Sequence, residues 1–370
     1  MSKMIKNLFN KSYIGNLCLK NRFIRSSTWM NMADEEGHLT NRLLDIYKEL
    51  AKGQIGLVIT GNAFIKEDER CTPGKMGIYS DSFIKEYQEL TELFHKFESK
   101  IIMQIGYGGT QTTYNVGNRT IWGPSPVPEM SSGVIAKEIS KKEISEIIKL
   151  YGQAATRVKK ANFDGIQIHA AHGYFLSQFL NSYHNQRKDE YGGNIKNKAR
   201  IIFEIYDEIR GRVGKNFLIS IKINCRDFVK KELTFKESLY VCKELDSMGI
   251  DAIEVSGGIQ AAKELGPIRT FINSPKREAY FKDYASIIAE KVKTPVILVG
   301  GLRSIEVMEN LLLNSKIEYF ALSRPFIREP NLLERWIKCE RTKSKCISCN
   351  KCRTPLGNVC FYKKPTYTKS

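Results

Sequence analysis

Long apolar runs are missing from this chain. No stretch approaches the roughly 20 consecutive apolar residues that a bilayer-spanning helix needs, and the opening MSKMIKNLFNKSY lacks the apolar segment of a secretory leader. Those absences argue against a membrane protein and place the expected protein in the cytoplasm. In that compartment nine cysteines read as thiols or metal ligands, not as a disulfide framework. No G-x-G-x-x-G follows the first apolar run, which argues against a doubly wound dinucleotide-binding sheet. Histidine is scarce, with five in 370 residues, so a segment that gathers two of them within a few positions is informative.

What is present in excess is positive charge. Lys and Arg number 58 against 40 Asp and Glu, a formal net charge of +18. Clustered basic residues interleaved with aromatics would suggest a phosphate-tracking nucleic-acid surface. Here the lysines are spread over nearly every helical pattern and no such motif occurs, so no nucleic-acid partner is expected. A diffuse positive field suits anionic small ligands such as acyl-CoA or a nicotinamide dinucleotide. With 42% apolar residues, the chain can bury a full core as one large α/β domain or two smaller ones.

Short apolar runs alternate with longer helical patterns. Strands are predicted at 22–27, 56–61, 100–105, 165–169, 217–223, 252–256, 295–300 and 319–323, and helices at 41–52, 81–98, 141–161, 196–213, 235–248, 280–292 and 304–313. Eight βα repeats in this length predict an α/β fold, a TIM (β/α)8 barrel over 1–336, with a short Cys-containing, basic C-terminal extension over 337–370. The irregular stretch 106–138 follows the third strand and reads as an active-site lid, since structureless loops of that length are usually functional. After strand seven, Gly300 and Gly301 let backbone approach a ligand. After strand eight, Ser323 and Arg324 stand where a guanidinium can meet a phosphate. Those two loops together predict a phosphorylated cofactor.

The densest signal is IQIHAAHGYFLSQFLNSYHNQRKDEYGGNIKNKAR, residues 166–200. The pair Asp164-Gly165 opens an apolar run that ends at His169, so His169, His172 and Tyr174 begin a loop at a strand's carboxyl end. The block HAAHGYFLSQFLNSYHNQRKDEYGG resembles the signature of the old yellow enzyme family of NADH:flavin oxidoreductases. The likeness extends through LKNRFIRSS, GLVITGNAFI, IIMQIGYGG and YFALSRPFIREP, nearly the whole chain up to Trp336. It implies an FMN-containing barrel that reduces activated C=C bonds of enones, enals, enoates or enoyl-CoA esters, with NAD(P)H as reductant. The cycle it implies passes hydride from NAD(P)H to flavin N5, then to the acceptor's β-carbon, with protonation at the α-carbon. The tail's cysteines are similar to those of the subgroup that includes 2,4-dienoyl-CoA reductase and its clostridial relatives. Those long enzymes add a flavin and NADH domain after the barrel, and no such domain is expected in this sequence.

The resemblance also implies roles. His169 and His172 point N–H donors at a carbonyl oxygen and draw electrons from the conjugated bond; Tyr174 is the proton donor to the α-carbon. Gln104 meets the flavin pyrimidine edge, Lys222 stands beside flavin N1 and O2, and Ser26, Ser27, Thr28 and Asn62 form flavin-contacting turns. Trp29 replaces a usual Thr, Cys or His, and Tyr107 stands where many relatives have histidine; both are expected in the substrate pocket. Arg200, Asp189 and Glu190 are expected to form structural ion pairs.

Two other readings stay open. Lys222 on a barrel strand is also the place of a Schiff-base nucleophile, which would make a lyase without flavin. The barrel is alternatively a flavin electron-transfer module whose Cys tail docks a redox partner protein. In that tail, Cys346, Cys349, Cys352 and Cys360 have spacing suited to a [4Fe–4S] cluster or a zinc ion, with free thiols as the third option. Whether the chain assembles as a homo-oligomer is left open.

Overall fold

Eight short parallel strands close on themselves, and alternation along each of them decides what lies inside. The computed structural model describes residues 6–362. In chain order the strands are β1 (Phe23–Arg25), β2 (Leu57–Ile59), β3 (Lys100–Gly106), β4 (Gly165–Ala170), β5 (Leu218–Asn224), β6 (Ala252–Ser256), β7 (Val296–Val299) and β8 (Tyr319–Leu322). Each pairs in parallel with its sequence neighbour, β8 pairs with β1, and β2 with β3 completes the ring. A two-residue strand, Ala63–Phe64, extends the pairing beside the end of β3. This is the expected TIM barrel.

Successive strand residues face opposite sides. One set, such as Ile101, Met103 and Ile105 on β3 or Ile219, Ile221 and Ile223 on β5, joins the large core against the helices. The other set points to the axis and changes character along the strand. Toward the amino-terminal end it is apolar, a separate cluster that includes Ile24, Leu57, Ile102, Leu218, Ala252, Ile297 and Tyr319. Two residues farther on the same strands it becomes polar: Gln104, Ser220, Glu254, and Gln167 and His169 on β4, all buried. An antiparallel hairpin, Ser12–Ile14 with Leu17–Leu19, closes the apolar end, supplying Ile14 and Leu19 to the axial cluster. The fold thus seals one end and presents chemistry at the other.

The outer helices are α1 (Asn41–Lys52), α2 (Phe83–Lys96), α3 (Lys141–Lys160), α4 (Ile195–Val213), α5 (Phe235–Met248), α6 (Lys282–Lys291), α7 (Ile305–Asn314) and α8 (Leu332–Ile337). Local capping fixes their starts. Thr40 and Asn194 accept from the N3 amides of α1 and α4, and Ser140 with Glu143 and Thr234 with Glu237 form reciprocal boxes on α3 and α5. The predicted strands and helices are all present, with bounds for α1 and α5 as expected. The hairpin, a short helix Phe175–Leu180 behind the histidine loop, and α8 were not anticipated. No helix among the described residues is long and apolar enough to cross a membrane.

The 106–138 stretch is irregular apart from Trp122–Gly123 pairing with Lys137–Glu138. It is not a free flap: the buried Glu69 carboxylate accepts from the Gly109 amide at 3.0 Å and pairs with Arg119. The extension after Trp336 is not a separate body either. Its Ser344 amide donates to Arg303 O at 2.9 Å, and a small hairpin, Arg353–Thr354 with Gly357–Asn358, is tied to the barrel by the Asn358 amide donating to Met30 O at 2.7 Å. The last eight positions of the 337–370 extension, 363–370, lie outside the described residues.

Candidate active site

One cavity of about 550 Å³ opens at the carboxyl end of the barrel. Its wall is built from the ends of the strands and the loops behind them. Ser26, Ser27, Thr28 and Trp29 follow β1, Asn62 follows β2, and Gln104 comes from β3. His169, His172 and Tyr174 follow β4, Lys222 comes from β5, Gly300 and Gly301 follow β7, and Ser323 and Arg324 follow β8. All of these were predicted, and the fold brings them together.

Beneath the cavity runs a chain of buried polar side chains. Ser27 Oγ donates to Gln104 Oε1 at 2.9 Å, Gln104 Nε2 to Gln167 Oε1 at 2.7 Å, and Gln167 Nε2 to Glu254 Oε2 at 2.8 Å. Glu254 Oε1 accepts from Ser26 Oγ at 2.7 Å and pairs with Lys222 Nζ at 2.9 Å, while Nζ also donates to Ser26 Oγ at 2.8 Å. Register explains the meeting, because Lys222 sits opposite both His169 on β4 and Glu254 on β6, and Gln104 opposite Gln167. Gln167 and Glu254 were missed from sequence; their inward parity on β4 and β6 was the available signal. A Schiff-base lysine must attack as a neutral amine. Lys222 is instead one half of a buried ion pair with Glu254, an arrangement that does not favour such an attack.

The histidine loop is shaped by backbone as much as by side chains. His172 adopts a left-handed φ of 65° and Gly173 one of 85°, an uncommon conformation for a residue with a Cβ. It is held there by Asn224 Oδ1, which accepts from the His172 amide at 3.2 Å, and by a 2.7 Å contact between His172 Nε2 and Ser256 Oγ. The two imidazoles stand 5.4 Å apart between centroids, and the Tyr174 ring is 5.0 Å from His169. Burial, then the charges of neighbouring His172, Lys222 and Lys75, hold His169 well below the usual histidine range. Burial and Lys222 do the same to His172. Both rings are therefore neutral, each with one N–H to donate. Burial and Cys71 push the Tyr174 hydroxyl up, against a smaller opposite pull from Arg353, so the phenol keeps its proton until a reaction takes it.

The residues suit a flavin nucleotide. Asn62 Nδ2, Gln111 Oε1 and His169 Nδ1 are buried without partners, and all three residues line the cavity. These are groups a bound polar ring would satisfy. Gly300 and Gly301 have φ of 123° and 73°, so their backbone turns at the wall in a conformation that side chains rarely permit. Lys222 and Arg324 would provide cations toward a pyrimidine edge and a phosphate, and no Asp or Glu lines the cavity among the described residues.

Some expectations are corrected. Tyr107 does not line the cavity; it is buried in the core, its ring 4.9 Å from Phe175, because residues beyond the end of β3 turn outward toward the short helix Phe175–Leu180. Trp29 does line it, with Nε1 donating to Pro73 O at 3.2 Å and the Arg353 guanidinium 5.5 Å above its ring. Asp189 pairs with Arg187 at 2.6 Å and Glu190 with Lys141 at 2.7 Å, whereas Arg200 donates to the Glu190 carbonyl at 2.8 Å. Among the described residues no group of three or more His, Cys, Asp or Glu is assembled to hold a metal ion. Cys346, Cys349, Cys352 and Cys360 neighbour one another: burial, then the other three thiols, push Cys352 up to about 11. Cys346 is buried while Cys352 faces the cavity.

Sequence patterning also missed Lys75, Gln111, Gln260, Tyr280 and the tail's Asn350 and Arg353 as wall residues. They arrive from loops, a 3-10 turn at Gln260 and the small tail hairpin at Arg353, segments too short for periodicity to mark orientation. Gln111 Nε2 donates to Gln260 Oε1 at 2.7 Å across the mouth, joining the stretch after β3 to that after β6.

Comparisons with known proteins agree with this geometry. The model of the NADH:flavin oxidoreductase / NADH oxidase family matches residues 7–343. The chain is 33% identical over 349 residues to the "NADH oxidase" of Thermoanaerobacter brockii, covering 93% of this chain and 53% of that protein. It is 30% identical over 385 residues to the "Cinnamate reductase" of Clostridium sporogenes, covering 97% and 57%. The chain thus spans about half the length of these curated relatives. Among solved structures, the old yellow enzyme homologue from Zymomonas mobilis superposes with a TM-score of 0.77 at 22% identity, covering 91% of this chain and 94% of that one.

Proposed function

The chain belongs to the NADH:flavin oxidoreductase / NADH oxidase family, and from that premise we propose that it is an FMN-dependent reductase of electron-poor C=C bonds, with NAD(P)H as reductant. The observation that carries this reading is the convergence on one flavin-sized cavity of two neutral imidazoles, a protonated tyrosine and Lys222, which Glu254 pairs from beneath. The 30% identity to a cinnamate reductase supports it. Bound FMN would supply a two-electron carrier between the nicotinamide and the acceptor.

The residues of this chain divide the remaining work. His169 and His172 donate N–H bonds to the acceptor's carbonyl oxygen, stabilising charge that accumulates there as the β-carbon gains hydride. Tyr174 delivers its hydroxyl proton to the α-carbon. Gln104, Asn62 and Ser27 hold the flavin's polar edge, Lys222 offsets negative charge on the reduced ring, and Gly300, Gly301, Ser323 and Arg324 hold the phosphate. The imidazole pair and Tyr174 would be idle in a module that only passes electrons to a protein partner. The test is an absorbance spectrum of the purified protein followed by stopped-flow mixing with NADH and then an enal. A yellow protein that NADH bleaches and the enal restores is expected. A protein that neither carries nor takes up FMN, or that the enal cannot reoxidise, overturns the proposal.

A further inference from the structure

Six cationic side chains line the cavity: Lys75, Lys222, Lys263, Arg303, Arg324 and Arg353. Most have an evident structural anchor. Lys222 pairs with Glu254, Arg324 donates to Arg269 O at 2.8 Å, Arg303 donates to the carbonyls of Ile272 and Ser344, and Arg353 lies over Trp29. Lys75 differs. It is buried, with 4% of its surface exposed, and among the described residues no carboxylate pairs with it. Its neighbours are Cys71 Sγ at 3.1 Å and the Tyr174 ring, 5.5 Å from Nζ to the centroid. The Glu69 carboxylate lies within electrostatic reach of Lys75 but is engaged by the Gly109 amide and Arg119, so the direct partners of this buried ammonium are a thiol and an aromatic face, without a paired anion to favour its burial. The Lys75 ammonium lines the cavity at its Tyr174 side, where the acceptor would bind, and not at the Gly300–Arg324 cradle.

Resting on the reductase reading above, we propose that Lys75 is the counter-ion of a carboxylate carried by the acceptor, and that the preferred acceptors are α,β-unsaturated carboxylates. The chemistry gives this placement a purpose. A carboxylate activates a double bond poorly, because its own charge opposes hydride arriving at the β-carbon. An ammonium beside it, together with the two imidazole donors, offsets that charge. The reaction balances as RCH=CHCO2⁻ + NAD(P)H + H⁺ → RCH2CH2CO2⁻ + NAD(P)⁺. Hydride forms the β C–H bond, the π pair takes the Tyr174 proton to form the α C–H bond, solvent reprotonates the tyrosine, and the carboxylate leaves unchanged. Arg353 and Lys263, both exposed at the mouth, would draw such anions inward.

The test uses the FMN-loaded full chain. Turnover is compared for trans-2-hexenoate, its methyl ester and its coenzyme A thioester, and binding of the saturated product hexanoate, against hexanamide, is read by calorimetry. The carboxylate should exceed the ester in kcat/KM. In Lys75→Gln that ratio should fall, and the hexanoate Kd rise, by about 10- to 100-fold, the worth of a hydrogen bond to a charged group; Lys75→Arg should recover part of both. An ester or thioester preferred over the carboxylate, or hexanoate binding in Lys75→Gln within about twofold of the original, overturns the inference. If none of the three is reduced and enals are not reduced either, the C=C reading fails, and the hexanoate titration alone decides the role of Lys75. Should Lys75→Gln not fold, equal affinity of the original protein for hexanoate and hexanamide overturns it.

Discussion

At the scale of single residues, the site depends on groups whose ionisation burial has fixed. Tyr174→Phe removes the proton to be delivered and leaves the ring that packs 5.0 Å from His169. Reoxidation of the reduced protein by an enal should slow by about 10²- to 10⁴-fold, measured by stopped flow; reoxidation at the original rate would remove Tyr174 from the mechanism. The neutral histidines make a separate claim about pH. Because His169 and His172 are held below their ordinary value and His184 down to about 4, the unfolded chain binds protons below about pH 6.5 that the folded chain refuses. Their contribution is complete above that pH and is lost as pH falls, by up to about 1.4 kcal/mol per pH unit for each histidine. Burial works in the opposite direction at Glu69, pushed up to about 7, and at Glu86, Glu204, Asp207 and Asp227, also raised; of these Glu69 is the one brought to about 7. Urea unfolding should show lower stability at pH 5.5 than at 7.5; equal or rising stability would contradict the neutral imidazoles. Glu254 is the most consequential structural residue of the site. Glu254→Ala leaves a buried ammonium at Lys222 and a broken chain of amides, and should cost about 3–5 kcal/mol of folding stability by denaturant titration.

Among the elements, the loops after β7 and β4 carry the strictest backbone demands. A Cβ at Gly301 would stand 2.8 Å from the Tyr280 ring on a residue with φ of +73°. Gly301→Ala should therefore lower stability by about 1–3 kcal/mol and weaken FMN binding by displacing Tyr280, read together as a melting temperature and an FMN Kd. An unchanged pair would show that the turn tolerates a side chain. The helices outside the barrel were legible because capping and periodicity are local: Ser140 with Glu143, and Thr234 with Glu237, mark α3 and α5 in the sequence as they do in space. The Phe175–Leu180 helix was not legible, since six residues give too little periodicity and its burial on every side removes the polar face that would reveal it. The same limit hid Lys75, Gln111 and Gln260, whose directions are set by loops.

For the whole molecule, the excess of basic residues and the cavity wall without acids act together. Association of NADPH with the protein should slow as salt rises from low to about 0.5 M, because screening shortens the reach of the field to a few ångströms; a salt-independent association rate would mean the surface charge plays no part in capture. By itself the sequence determined the ring of eight strands, the seven long helices and the histidine–tyrosine loop, because period-two and period-3.6 patterns and end caps are written between residues a few positions apart. Only the tertiary structure decided that Glu254 neutralises Lys222, that Tyr107 turns into the core, that the cysteine-bearing tail walls the cavity, and that Lys75 is buried with no carboxylate directly paired to it. Those outcomes depend on strand register and on contacts between segments tens to hundreds of residues apart, and spacing along a chain does not specify which distant side chains will share one low-dielectric space.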